Sequence, residues 1–176
     1  MVKIDVSKDG TEKIKRALSA LSGRELYRAV GAAGKRAANH AAVVGGKKLR
    51  EVYTIKASVA KAHMIVKAER PLETIIRIKG GVEPVQNFRG TAVRKTGIFA
   101  SIKKGSGSII PRSFTQDGSF LMREGAERYP LKGIYGPSVP QMFWENSVLE
   151  ASMEAGAEMY EKRIIHEVEH RIGGEI

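Results

Sequence analysis

The sharpest chemical pattern in the sequence is H-E-V-E-H at residues 166–170, which matches the H-E-x-x-H zinc-protease motif. A helix would place His166 and His170 on one face, with Glu167 as the general base. A catalytic zinc ion needs a third protein ligand, and downstream of His170 only Glu175 is available. The favoured interpretation is a solvated last helical turn, in which histidine suits the helix dipole. The two histidines are weak metal candidates, and a zinc peptidase is a remote alternative.

A glycine-rich loop and a set of basic residues are the next candidates for a binding function. The loop K-K-G-S-G-S at 103–108 could wrap a phosphate, but neither nucleotide-binding fingerprint occurs, and a flexible hairpin tip is favoured. The basic residues are compatible with DNA-backbone or partner contact, or with a solvated surface. No sequence-reading DNA or RNA motif accompanies them. They are Lys47, Lys48, Arg50, Arg89, Arg94, Lys95, Lys103, Lys104 and Arg112, and the candidate contacts among them are Lys47, Lys48, Lys103, Lys104 and Arg112.

Other features argue against enzyme chemistry. The chain has no cysteine, which excludes cysteine nucleophiles, disulfides, thiolate zinc sites and iron–sulfur clusters. No G-x-S-x-G nucleophile elbow occurs, and the sequence assigns no carboxylate or nucleophile partner to His40 or His63. We therefore predict that the protein is not an enzyme, has no catalytic residues and needs no cofactor.

Charge is unevenly distributed along the chain. Residues 1–112 contain 24 basic and 8 acidic residues, whereas residues 113–176 contain 6 and 11, within a formal net charge of +11. A basic body is typical of proteins that bind a polyanion such as DNA, and an acidic segment can instead face the basic body of a neighbouring copy. Both interpretations stay open. The candidate subunit-interface residues are Glu150, Glu154 and Glu158.

Helices are predicted in the N-terminal part. The alternation at 2–6 predicts a short strand, and apolar spacing predicts a short helix after it. Ser22 and Glu25 form a capping box that opens a long amphipathic helix rich in alanine and glycine. The pair at 45–46 is expected to weaken, kink or break this helix because glycine is a poor helix former.

The middle of the chain predicts strands, and the end predicts a helix. Apolar or β-branched runs bounded by turns occur at 64–66, 74–78, 98–102 and 109–110. Asp117-Gly118 is typical of a tight hairpin turn. The segment 135–140 is expected to be irregular. Large apolar residues of the final helix are interpreted as core; they are Met142, Phe143, Trp144, Met153 and Met159.

These elements predict an α+β fold: a central, mostly antiparallel β-sheet flanked by a long N-terminal helix and a long C-terminal helix. The length of 176 residues predicts a single domain, residues 1–176, that is helical at 9–53, strand-rich at 62–134 and helical again at about 141–171. No apolar stretch approaches the ~18–20 residues that a bilayer span needs, and the charged start does not fit a secretory signal. We expect a protein that stays in the cytosol and does not contact a membrane.

An ordered series of segments resembles the minor tail protein Z family of long-tailed phages and prophages. An alanine-rich helix runs into R-E-V-Y-T-I-K, followed by V-Q-N-F where the family tends to have a Leu-x-x-Phe-like element. Then come G-I-F-A, P-R-S-F, F-L-M-R-E-G, R-Y-P-L and Y-G-P-S-V-P-Q-M, ending at residue 142. The resemblance covers roughly residues 25–170 and depends on the order of the segments. The glycine pair at 45–46 departs from the more continuous helix expected of the family.

The resemblance implies a non-enzymatic virion component that acts in tail completion and head–tail joining, near the head-proximal end. It implies assembly in the host cytoplasm with other tail and neck proteins, as a homo-oligomeric ring, commonly sixfold, with non-specific contact to DNA in the tail channel. A ring needs two complementary faces on each copy. We expect the acidic final helix to contact the basic N-terminal half of a neighbour. A non-specific DNA-binding protein is the alternative function.

Overall fold

The computed structural model describes Ser19 and residues 22–70 and 72–172. The strand predicted at 2–6 and most of the short helix predicted after it lie outside these residues. The described helices are α1 (Gly23–Val52), α2 (Ala57–Ala62), α3 (Val139–Phe143) and α4 (Asn146–Ile172). The strands are β1 (Met64–Arg70), β2 (Glu73–Ile78), β3 (Val82–Pro84), β4 (Gly90–Arg94), β5 (Gly97–Ser101), β6 (Ser108–Pro111), β7 (Ser113–Gln116), β8 (Ser119–Arg123), β9 (Leu131–Gly133) and β10 (Tyr135–Ser138).

Helix α1 begins at the predicted capping residues. The Glu25 carboxylate accepts hydrogen bonds from the Ser22 amide (3.4 Å) and the Ser22 hydroxyl (2.9 Å). The Ser22 carbonyl accepts the first helical bond, from the Leu26 amide at 2.9 Å. Because the first amides of a helix have no partner within it, such a cap fixes where the helix starts.

The expected break in α1 at Gly45-Gly46 is wrong, because the helix is continuous through both glycines. Each glycine costs about 1 kcal/mol relative to alanine in a helix interior. Packing of the next turn offsets that cost, since Gly45 is buried and Leu49 is fully buried. In addition, the Arg50 Nε donates to the Gly46 carbonyl at 3.0 Å.

A strip of small buried residues runs along α1 with a spacing of four. Four residues advance about 400° around the axis, so each step turns the strip by about 40°. The strip therefore winds around α1 instead of following one straight face. Its members are Ala29, Ala33, Ala37, Ala41 and Gly45, and the larger Leu49 continues the same spacing.

The strands form four small sheets, ordered β1-β2, β10-β3, β4-β5-β6 and β7-β8-β9. The register is antiparallel in the pairs β3–β10, β4–β5, β5–β6, β7–β8 and β8–β9. With long helices before and after them in the chain, the predicted α+β class is confirmed. Among the described residues, the central strands form four small sheets instead of the one central sheet that was predicted.

The hairpin prediction is confirmed and the prediction of an irregular segment is wrong. Asp117 and Gly118 have φ angles of 50° and 75°, and they connect β7 to β8 as a two-residue turn. Residues 135–138, expected to be irregular, form β10. Pro137 is tolerated there because the register with β3 shifts between Gly136 and Ser138, which leaves Pro137 at a β-bulge without a partner on β3.

The final helix is interrupted where the sequence predicted continuity. Ser138 and Gln141 form a capping box that starts α3. Trp144 ends α3, so α4 begins only at Asn146, and Trp144 is 60% exposed. The interpretation of Trp144 as core is therefore wrong, whereas Met142 and Phe143 are buried and Met153 and Met159 are half-buried.

The described residues fall into two compact units. The first contains the described residues up to 45, from 64 to 77 and from 149 to 172, and the second contains 46–63 and 78–148. Helix–helix packing makes the core of the first, around Ala29, Ala33, Ile164 and Val168. Val85, Ile98 of β5 and Ile134 make a core in the second. No helix in the described part of the chain is long and apolar enough to cross a membrane.

Candidate functional site

The zinc-protease motif lies near the end of α4, with its members on different faces. His166 and His170 are exposed, whereas Glu167 is 7% exposed. The Glu167 carboxylate pairs with Arg36 of α1 through one oxygen and with Arg171 at 2.6 Å through the other. Glu167 therefore joins α1 to α4. No group of three metal-ligating side chains occurs in the described ranges.

The three candidate interface glutamates, Glu150, Glu154 and Glu158, form what we term the acidic ridge. All three are exposed on α4 at intervals of four residues. None of them forms an ion pair within the described part of the chain. Like charges four residues apart destabilise a helix by ~0.2–0.5 kcal/mol per pair. The ridge thus concentrates negative charge at a cost to the isolated chain.

Of the five basic residues that are candidates for DNA or partner contact, two form ion pairs and three are exposed. Lys48 pairs with Glu51 at 3.3 Å, and Lys103 pairs with Glu145 at 3.0 Å. Lys47, Lys104 and Arg112 are exposed. The structure brings the 103–104 segment to the end of α1, because the Lys104 amide donates to the Val52 carbonyl at 2.9 Å. Arg112 lies apart from them in sequence, in the turn between β6 and β7.

Lys103 belongs to a small polar cluster with Tyr53 and Glu145. The Tyr53 hydroxyl donates to Glu145 Oε2 at 2.9 Å, and Lys103 Nζ lies 5.3 Å from the centre of the Tyr53 ring. Hydrogen bonds from Lys103 and Tyr53 lower the pKa of Glu145, and the bond to Glu145 raises the pKa of Lys103. Burial, followed by the bond to Glu145, raises the pKa of Tyr53. Lys103 is therefore engaged by Glu145 and Tyr53 within its own chain.

The glycine-rich loop at 103–108 is closed by its own hydrogen bonds. The Ser101 hydroxyl lies 2.8 Å from the carbonyl oxygens of both Lys103 and Ser106. The Ser106 amide donates to the Lys103 carbonyl at 3.2 Å. These bonds make a tight turn, so this amide is already paired and does not converge on an anion.

A histidine–glutamate cluster that the sequence did not assign surrounds His63. Its Nε2 lies 2.8 Å from Glu83 Oε1, and its Nδ1 lies 2.6 Å from the Lys79 carbonyl oxygen. Asn87 donates to the second oxygen of Glu83 at 2.8 Å, and Glu83 is 5% exposed. Both ring nitrogens have a partner within the chain, so the ring is held in place by its neighbours. The cluster fixes the loop before β3.

A second feature missed from the sequence is an arginine-lined cavity of about 230 Å³ in the second unit. Pairing of Phe114 with Leu121 and of Arg123 with Leu131 puts these side chains on one face of the β7-β8-β9 sheet. The Arg123 guanidinium lies 5.3 Å from the centre of the Phe114 ring. The full lining is Phe114, Gln116, Arg123, Arg128, Tyr129 and Leu131. The hairpin turn and the strand alternation were the signals that could have placed Phe114 and Arg123 together.

Comparison of the chain with protein-family models, with curated proteins and with solved structures returns no match. The surfaces described above are charged. The acidic ridge has no cation partner in the described residues, and several arginine and lysine side chains are exposed.

Proposed function

We propose that this chain is a non-enzymatic structural component of a phage or prophage tail. It acts in tail completion near the head-proximal end, as a subunit of a ring that contacts other tail and neck proteins. The ordered segments that resemble the minor tail protein Z family support this proposal. The final location of the protein is the virion tail, after assembly in the host cytoplasm.

The single observation that carries the proposal is the acidic ridge on α4. Three glutamates that repel one another are retained on the surface with no cation partner in the described residues. A basic surface on a neighbouring subunit would relieve this repulsion. Because the chain as a whole is strongly basic, copies of the same chain can supply that surface. Such a contact joins two different faces, which is the kind of interface that closes a ring.

The histidine and glutamate side chains support a non-catalytic role. Glu167 is paired with two arginines, and both ring nitrogens of His63 face acceptors within the chain. A structural role accounts for groups with these partners. If H-E-x-x-H instead held zinc, untagged protein would carry about one ion per chain and lose it in His166→Ala.

The test is the native mass of the protein, measured by light scattering across a concentration series at two salt concentrations. We expect a discrete multiple of the chain mass that dissociates more readily at high salt, because salt screens exposed charges. A monomer at every concentration would contradict self-assembly into a ring.

Charge reversal of the ridge sharpens this test. Glu150→Lys, Glu154→Lys and Glu158→Lys together should weaken assembly while the thermal unfolding curve stays within a few degrees of wild type. The matched control is Glu127→Lys, compared with the single ridge change Glu154→Lys, because Glu127 is exposed, lies outside the ridge and has no ion pair among the described residues. If the ridge variant and the wild type had the same native mass at every concentration, the proposed interface would be wrong.

A non-specific DNA-binding protein is the second candidate. The exposed side chains of Lys47, Lys104 and Arg112 favour it, together with the net charge of +11. Its mark would be binding of the isolated protein to linear DNA with an affinity that falls steeply with salt, since phosphate contacts release counterions. Reversal of the acidic ridge would then strengthen DNA binding instead of weakening any assembly.

A further inference from the structure

The arginine-lined cavity holds two guanidinium groups without a carboxylate partner. Neither Arg123 nor Arg128 forms an ion pair within the described ranges, and the nearby Glu124 instead lies 3.7 Å from Lys132. Arg123 stacks on Phe114 at 5.3 Å, and Arg128 lies 5.8 Å from the centre of the Tyr129 ring. Stacking on an aromatic ring restricts a guanidinium but leaves its N–H edges open. The cavity thus presents pre-positioned donors to an anion.

The dimensions of the cavity favour a side-chain carboxylate as the anion. Its volume of about 230 Å³ is below the ~300–1,000 Å³ typical of sites for drug-sized ligands. Arginine donors match the two oxygens of a carboxylate. Gln116 adds an amide to the wall, whereas Phe114 and Leu131 add an apolar surface that suits the methylene groups of a glutamate side chain.

We propose that this cavity binds glutamates of the acidic ridge of a second copy of the chain. Successive ridge glutamates lie about 6 Å apart along α4, so the ridge offers a row of carboxylates to the cavity. The inference rests on the proposed function, which requires two complementary faces on each copy. The acidic ridge is one face, and the arginine-lined cavity is the other.

Charge and shape together favour this cavity over the basic N-terminal half as the surface that receives the ridge. Lys48 and Lys103 already have carboxylate partners in their own chain, and the exposed Lys47, Lys104 and Arg112 do not line the cavity. Arg123 and Arg128 have none among the described residues, and they line a concave surface that an exposed row of glutamates can enter. Contact between the ridge of one copy and the cavity of the next uses two different faces, so it propagates around a ring.

A charge-swap experiment tests the contact in the full-length chain. Arg123→Glu with Arg128→Glu should weaken association at least about tenfold, as should Glu154→Lys with Glu158→Lys, because each leaves like charges facing one another. A mixture of the two variants should restore association in hetero-oligomers. The matched control is Arg89→Glu with Arg94→Glu, which reverses two exposed arginines outside the cavity and should assemble normally. Circular dichroism checks that every variant is folded.

Cysteine cross-linking provides a second readout, and the absence of native cysteine makes it specific. A Gln116→Cys chain mixed with a Glu154→Cys chain should form a hetero-disulfide dimer under mild oxidation. The same cysteine at 154 mixed with a Thr91→Cys chain should not. Absence of the first cross-link at high protein concentration overturns the inference.

The outcomes separate this inference from the proposed function. If the wild type assembles but reversal of the two arginines has no effect, the inference is wrong while the ring proposal stands. If the wild type stays monomeric yet the cross-link forms, the contact stands and self-assembly into a ring fails. If the arginine variants lose affinity for linear DNA with association unchanged, the cavity binds phosphate and the inference is overturned.

Discussion

The inner and outer faces of α4 carry the same residue type in opposite environments. On the inner face, Glu167 is 7% exposed and is held by Arg36 and Arg171. On the outer face, nine residues earlier and therefore about 180° around the helix, Glu158 is exposed within the acidic ridge. The inner carboxylate stabilises the packing of α4 on α1, whereas the outer ones destabilise the isolated helix. The inner glutamate has cation partners within the described residues, whereas the three ridge glutamates have none.

The largest expected effect comes from breaking the inner face. Glu167→Ala should destabilise the protein by about 3 kcal/mol in a denaturant titration. This is the low end for a broken buried ion pair, because the side chain of Arg36 is half exposed and can return to water. Glu158→Ala on the outer face is the control and should change stability by less than about 0.5 kcal/mol. Equal effects of the two changes would remove the distinction between the faces.

A smaller and opposite effect is expected from the outer face. Glu154→Gln removes both repulsive contacts that Glu154 makes, with Glu150 and with Glu158, so the monomer should gain about 0.5 kcal/mol of stability. The same change should weaken association, since it removes a charge from the ridge. A more stable monomer that associates more weakly would support the distinction between the inner and outer faces of α4. A loss of monomer stability would instead show that Glu154 has a stabilising partner within the chain.

The smallest effect concerns Glu145, whose environment is intermediate between those of the two faces. It is half-buried, and bonds from Lys103 and Tyr53 lower its pKa. A lowered folded-state pKa means that the contribution to stability is present above the ordinary glutamate pKa and is lost as the pH falls through the folded value. The stability difference between wild type and Glu145→Gln should therefore shrink in acid. A difference that is the same from neutral pH to acid would contradict this assignment.

Local signals in the sequence predicted the elements where one residue type decides the backbone. Ser22 with Glu25 predicted the start of α1, and Asp117-Gly118 predicted the β7–β8 hairpin, because caps and tight turns depend on neighbouring residues. The break at Gly45-Gly46 was wrong because packing elsewhere on the helix outweighs glycine propensity. Strand β10 was missed because Gly136 and Pro137 are typical of loops, and the bulge that accommodates Pro137 depends on pairing with β3, which is far away in the chain.

Long-range pairing explains what the sequence could not predict about the sites. The motif suggested a general-base role for Glu167 only in the remote zinc-peptidase alternative, and the structure pairs Glu167 with Arg36, which is far away in the chain. His63 has its partner Glu83 in a later strand. The exposure of the acidic ridge follows from helical periodicity and was predictable. The choice of glutamates as an interface, and the phage-tail function, stay predictions.

The winding strip of small residues on α1 has a consequence for how this helix can evolve. Substitutions that keep a small side chain leave the strip intact. An insertion of a single residue between Ala41 and Leu49 would instead rotate every later position by about 100° and shift it by about 1.5 Å along the axis. It would move Leu49, which is fully buried, toward solvent. Related chains should therefore keep the length of this helix even where they replace its glycine pair.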